Sequence, residues 1–139
     1  MGRALGVDLG LRRVGLALTD SSRVICSPLR AIPFASERRL IEELARLCRN
    51  HEADLVVFGL PLSADGSEGE GCERARRIAK KLSGMGIATK LQDESWSSRE
   101  AEDIIRATGR SRRTAVGKVD AVAASLILRD FLEGAASAR

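Results

Sequence analysis

The stretch that decides the fold, residues 4–18, reads ALGVDLGLRRVGLAL. In its first half, leucine or valine at every second position alternates with glycine or aspartate, and this period of two predicts a buried strand. Residues 10–13 then read as a tight turn into a second strand, so the stretch is expected to form a hairpin. The single acid in the first strand is Asp8.

Asp8 is the first candidate functional residue. An acid within a buried strand costs free energy unless a partner compensates its charge. Its neighbours at i−2 and i+2, Gly6 and Gly10, would weaken a strand that only had to pack, and we expect them to leave open space around the carboxylate. Two interpretations stay open: a salt bridge to Arg12 or Arg13, or a metal ligand or catalytic carboxylate.

Composition indicates one globular domain over residues 1–139. Apolar residues make up 44% of the chain and aromatic residues only 3%, which predicts an aliphatic core and argues against a surface of stacked aromatics that grips single strands. The formal net charge of +4 suits a polyanionic partner without requiring one.

Three cysteines, Cys26, Cys48 and Cys72, fit no metal-binding spacing, and any disulfide scheme leaves one of them unpaired. This pattern indicates a reducing compartment. Asp8 interrupts the only early apolar stretch, so we predict no signal peptide, and no run approaches the ~18 apolar residues of a membrane span. The expected location is the cytoplasm.

The remaining pattern predicts an α/β fold with a mixed sheet. A third strand, predicted over residues 24–26 and 29–32 and interrupted by Ser27-Pro28, follows the hairpin closely. These three strands should therefore be antiparallel neighbours. Helices and strands then alternate, which predicts parallel strands with right-handed crossovers. We predict a five-stranded sheet in the order 3-2-1-4-5 with helices on both faces. The later predicted elements are helix 37–50, strand 54–60, helix 73–83, strand 87–92, helix 97–108 and helix 118–133.

Two further acids are anomalous. Glu94 comes directly after the fifth predicted strand, where ligands bind in open α/β sheets. Asp120 lies in the first turn of a helix that is apolar almost all round until Arg129, so it should be buried and in need of a cation. Lys118 is too close along the helix to face it.

In the predicted sheet these acids can converge with Asp8. Carboxylates from separated segments are the ligands that Mg²⁺ or Mn²⁺ prefers, and such a site can promote phosphodiester cleavage. No His or Cys cluster favours zinc, and the only histidine, His51, ends a helix, which argues against a Ser-His-Asp triad.

Other segments leave alternatives open. The acidic, glycine-rich stretch 61–71 lacks the Gly-Lys-Ser/Thr of a P-loop, and it is either a flexible loop or a substrate contact. A basic loop before the last helix is either ordinary surface or a contact to a phosphate backbone. The nucleic-acid-binding candidates are Arg12, Arg13, Arg110, Arg112, Arg113 and Lys118.

Four stretches in this order resemble the YqgF/RuvX family. They are GVDLG with RVGLA (6–10 and 13–17), VFGLPL with DGSE (57–62 and 65–68), Asp93-Glu94 before a helix, and KVDAVAA (118–124). These bacterial proteins are described as Holliday-junction-resolvase-like and as nucleases that mature the 5′ end of pre-16S rRNA. The resemblance implies an RNase H-like fold, a divalent ion, and Asp8, Glu94 and Asp120 as its acidic ligands and catalytic residues.

One departure from the family pattern concerns an arginine. The family usually has Asp-Glu-Arg, whereas this chain has Ser95 after Glu94. The chain therefore lacks the arginine on which a phosphate clamp at that position would depend, and Arg99 and Arg12 are the substitutes that we consider. The leading hypothesis is a metal-dependent nuclease acting on precursor rRNA. The alternatives are a nuclease of branched DNA and a non-catalytic RNA-binding assembly factor. A two-domain actin-like ATPase is disfavoured by length, and both a monomer and a homodimer stay open.

Overall fold

Five strands form one mixed sheet. The computed structural model describes the backbone of residues 2–61, 69–94 and 112–137, and their side chains except at positions 94, 112–118 and 135–137. The strands are β1 (Arg3–Leu9), β2 (Arg13–Thr19), β3 (Cys26–Pro33), β4 (Ala53–Pro61) and β5 (Ala88–Glu94). The helices within these ranges are α1 (Glu37–His51), α2 (Glu70–Gly84) and α3 (Arg112–Ser137).

The sheet order is β3-β2-β1-β4-β5, as the sequence predicted. β1 pairs antiparallel with β2, and β2 pairs antiparallel with β3. β4 lies beside β1 and pairs with it in parallel, with Val7 opposite Phe58, and β5 continues in parallel on the far side of β4. The continuous apolar run of β4 is therefore covered on both faces, which is why it does not alternate.

Helices cover both faces of the sheet, again as predicted. α1 and α2 pack on one face, where alternate strand residues such as Leu5, Val7 and Phe58 belong to the larger core. α3 packs on the other face against smaller residues, including Ala4 and Ala17. Asp8 and Gly6 also lie on the face that α3 covers, because successive strand residues point to opposite faces of the sheet.

The element boundaries correct several predictions. Val24 precedes β3 and is exposed. Asp93 and Glu94 lie within β5 instead of after it. α3 begins at Arg112 instead of at Lys118, so Arg112 and Arg113 belong to a helix backbone and not to a loop. The single Gly117 costs a helix only about 1 kcal/mol, which is too little to stop it.

Asp120 is consequently about two turns beyond the start of α3, instead of in its first turn. The helix N-terminus therefore does not stabilise its charge. The predicted helix 97–108, the acidic segment 62–68 and Arg110 lie outside the described residues.

The three cysteines are free thiols. Cys48 and Cys72 are buried, and burial raises the pKa of Cys48 to about 11. Among the described residues, no helix has both the length and the apolar character needed to cross a membrane.

Candidate active site

Asp8 and Asp120 lie on the same face of the sheet. Asp8 is directly opposite Gly15 in the β1–β2 pairing, and opposed residues of an antiparallel pair share a face. A Cβ atom added to Gly15 would lie only 1.9 Å from the backbone carbonyl oxygen of Asp120. The structure therefore brings these two predicted acids into adjacent positions, one on a strand and one on the helix that crosses it.

The glycines around Asp8 allow a helix to approach the sheet, and our expectation of open space was wrong. A Cβ atom on Gly6 would lie 2.6 Å from Cγ of Leu128 and 2.8 Å from the carbonyl oxygen of Ala124. Real Cβ atoms do not make such contacts, so α3 could not dock as closely on a sheet with side chains at Gly6 and Gly15. Close docking is what positions Asp120 beside Asp8.

Asp120 has a cationic partner that sequence reasoning missed. Nε of Arg13 donates a hydrogen bond of 2.8 Å to Oδ2 of Asp120. The side chains are 46% and 23% exposed, respectively, so Asp120 is half-buried instead of fully buried. A pair with this exposure contributes about 0–1 kcal/mol to stability. Arg13, one of the two arginines that we considered as partners of Asp8, thus pairs with Asp120.

The turn between β1 and β2 is as tight as predicted. The Gly10 N–H donates to the carbonyl oxygen of Arg13 at 2.9 Å, and a Cβ on Gly10 would lie 2.4 Å from that oxygen. Glycine is therefore required at position 10, because the Arg13 carbonyl oxygen lies too close to admit a Cβ atom. The side chains of Arg12 and Arg13 are exposed at this turn, which begins two residues after Asp8.

Glu94 lies at the end of β5, paired in register with Pro61. Since β1, β4 and β5 run parallel, their carboxyl ends meet at one edge of the sheet, and β4 separates β5 from β1. Two strand spacings amount to about 10 Å. The side chain of Glu94 is outside the described set, and among the side chains within it no group of three His, Cys, Asp or Glu residues is arranged to hold a metal. The three-acid site therefore stays a prediction.

Arg74 of α2 is a second residue that the sequence analysis did not single out. Its Nη1 donates to the Gly10 carbonyl oxygen at 2.8 Å. The available signal was its spacing of four residues from Ile78, which is buried, so the two share one side of the helix.

A model of one protein family matches residues 2–134, and that family is described as "RuvX: Holliday junction resolvase". The chain belongs to the RuvX family. Relatives in the family match it over nearly their full lengths. A protein of Anaeromyxobacter sp. (strain Fw109-5) is 40% identical over 133 residues, with 95% of this chain and 97% of the relative covered. Its name is "Putative pre-16S rRNA nuclease".

A protein of Anaeromyxobacter dehalogenans (strain 2CP-1 / ATCC BAA-258) with the same name is 42% identical over 135 residues, covering 94% of this chain and 96% of its own. The prediction of the family, and with it of a nuclease class, is confirmed.

Solved structures confirm the RNase H-like fold. RuvC of T. thermophilus, solved with a Holliday junction substrate, has a TM-score of 0.60 at 11% identity and covers 97% of both chains. The resolvase of Fowlpox virus, solved in complex with Holliday junction DNA, has a TM-score of 0.58 at 9% identity, with coverage of 94% of this chain and 99% of that one. At sequence identities this low, the structural likeness is evidence for a shared fold alone.

Proposed function

We propose that this RuvX-family chain is a divalent-metal-dependent nuclease that hydrolyses phosphodiester bonds in precursor 16S rRNA. The observation that carries the proposal is the close approach of α3 to the sheet at Gly15, which sets Asp120 beside Asp8 on one face. Carboxylates that come from separate elements to one face of the sheet are the oxygen ligands that a divalent cation prefers. The names of the relatives support precursor 16S rRNA as the substrate.

The donor set fits Mg²⁺ or Mn²⁺. Asp8 and Asp120 offer carboxylate oxygens from a strand and a helix, and hard oxygen ligands favour these ions over zinc. We propose that Glu94, at the same sheet edge, completes the set. The ion would supply Lewis-acid stabilisation of the charge that develops at the scissile phosphodiester.

The chain's own residues have separate roles in this proposal. Asp8 and Asp120 hold the ion, and Arg13 orients the Asp120 carboxylate through the bond to Oδ2. The exposed side chain of Arg12 lies at the turn and is available to a substrate phosphate, so we assign it the role of the arginine that other family members have after the glutamate.

The basic residues before Asp120 are proposed to contact the phosphate backbone. Replacing Arg110, Arg112 and Arg113 together by glutamine should weaken binding to precursor rRNA and reduce the slope of log K against log salt by about 0.7–0.9 for each lost contact. Fluorescence anisotropy at several salt concentrations measures both quantities. The control is Arg38→Gln, which alters an exposed α1 arginine paired with Glu42. Unchanged affinity and slope in the triple variant would show that these residues are ordinary surface.

A cleavage assay that offers several substrates tests the proposed function. Labelled precursor 16S RNA, a four-way DNA junction and plain duplex are presented side by side with Mn²⁺ or with EDTA. We expect Mn²⁺-dependent cleavage of the precursor at its 5′ side. Preferential cleavage of the junction would instead support the DNA nuclease, which the family description favours.

Tight binding without cleavage of any of these substrates would support a non-catalytic assembly factor. We propose a cytoplasmic location, which a precursor rRNA substrate would support. We leave a monomer and a homodimer as alternatives, which sedimentation with and without RNA would separate.

A further inference from the structure

Arg74 holds the β1–β2 turn from the opposite side of the sheet to α3. Its Nη1 donates to the carbonyl oxygen of Gly10 at 2.8 Å, and its guanidinium carbon lies 4.1 Å from the centroid of the Phe34 ring. The Phe34 N–H in turn donates to the carbonyl oxygen of Arg12 at 2.8 Å. The arginine and the residue on which it stacks therefore both bind backbone carbonyls of the same turn, residues 10–13.

Burying the Arg74 guanidinium in this way costs the folded protein free energy. Nη2 of Arg74 is buried and has no hydrogen-bond partner in the described part of the chain, and burial lowers the pKa of the guanidinium. By contrast, Arg77 on the same helix is exposed and forms two hydrogen bonds with Glu37, at 3.1 and 2.6 Å. Replacing a buried charged group by an apolar side chain is often neutral or stabilising, so stability alone does not account for Arg74.

The turn that Arg74 binds is connected to both Asp8 and Asp120. Gly10 follows Asp8 by two residues, and its N–H donates to the Arg13 carbonyl oxygen at 2.9 Å. Nε of Arg13 then donates to Oδ2 of Asp120 at 2.8 Å. Hydrogen bonds of Gly10 and Arg13 therefore connect α2, the turn and the carboxylate on α3.

We propose that Arg74 is a positioning residue that fixes the turn 10–13 so that Asp8 and Asp120 face one another in the geometry that a divalent ion requires. The inference rests on the proposed function, and Arg74 acts through the backbone of Gly10 without touching the substrate. Groups that orient metal ligands typically account for 10- to 100-fold in metal affinity or activity.

Arg74→Met in the full chain tests the proposal, with Arg77→Met as the matched control on the same helix. Methionine keeps an apolar side chain against Phe34 and removes both the bond to Gly10 and the unpartnered Nη2. For Arg74→Met we expect Mn²⁺ binding, measured by calorimetry, to weaken 10- to 100-fold. The Gly10 amide should exchange faster with solvent deuterium, while the melting temperature is unchanged or higher. Arg77→Met should bind Mn²⁺ as the wild type does.

A second variant, Arg74→Lys, separates positioning from loss of fold, because an ammonium group can still donate to the Gly10 carbonyl. We expect it to recover part of the Mn²⁺ affinity. A merely structural role predicts a lower melting temperature for Arg74→Met with wild-type Mn²⁺ affinity and Gly10 exchange, and that result would overturn the inference. If the wild type itself binds no Mn²⁺, the proposed function fails and this inference fails with it.

Discussion

Asp120→Asn is expected to abolish Mn²⁺-dependent cleavage while changing the free energy of unfolding by no more than about 1 kcal/mol. Asparagine keeps an oxygen that can accept the hydrogen bond from Nε of Arg13, but it removes the charge that a divalent ion needs. Losing that ion removes several kcal/mol of transition-state stabilisation, so we expect cleavage to slow at least about a thousandfold.

The measurement is precursor cleavage together with chemical denaturation in EDTA. Asp130→Asn is the control, because Asp130 lies on the same helix and pairs with Arg129, away from the sheet edge that carries Asp8. It should cleave at the wild-type rate. A loss of about 3–5 kcal/mol in Asp120→Asn, with cleavage retained, would indicate instead that Asp120 serves a structural salt bridge.

Gly15→Ala should reduce both stability and activity. The added Cβ would lie 1.9 Å from the Asp120 carbonyl oxygen and 2.3 Å from its carbonyl carbon, and these are backbone atoms that cannot rotate away. Overpacking typically costs 1–3 kcal/mol, and this contact should lie at the top of that range or above it. If α3 moves by about 1 Å to relieve the clash, cleavage should fall about a hundredfold.

Gly134→Ala is the matched control, since an added Cβ there meets nothing within 4 Å. Alanine in a helix should stabilise the protein by about 0.5–1 kcal/mol, with cleavage unchanged. Urea denaturation measures the stability of both variants, and a precursor cleavage assay measures their activity. Wild-type stability and rate in Gly15→Ala would contradict the close docking of α3 on β2.

The sequence predicted the sheet because its signals are local. The alternation in residues 5–9 reflects large side chains on one face of β1 and small residues on the face that α3 covers. The continuous apolar run of β4 reflects burial on both faces. Chain order and right-handed crossovers then restrict the topology to few choices, and the order 3-2-1-4-5 is the observed one. Asp8 and Asp120 were recognised because an acid is anomalous in apolar surroundings.

Contacts between distant segments escaped prediction. Arg13 and Asp120 are separated by 107 positions, and no periodicity links a strand residue to a helix residue at that distance. Gly15 was not singled out, and Gly6 was interpreted as providing open space, because a glycine has the same pattern whether its empty position admits solvent or a helix backbone. Arg74 was missed because the contact with Gly10 depends on how α2 lies over the end of β1.

The most direct test of the central claim is a count of Mn²⁺ ions bound by the full chain and by Asp8→Asn, Glu94→Gln and Asp120→Asn, measured by electron paramagnetic resonance. If these acids share one site, the wild type binds Mn²⁺ and each substitution weakens that binding markedly, together with cleavage. Wild-type Mn²⁺ affinity in all three variants would contradict the account.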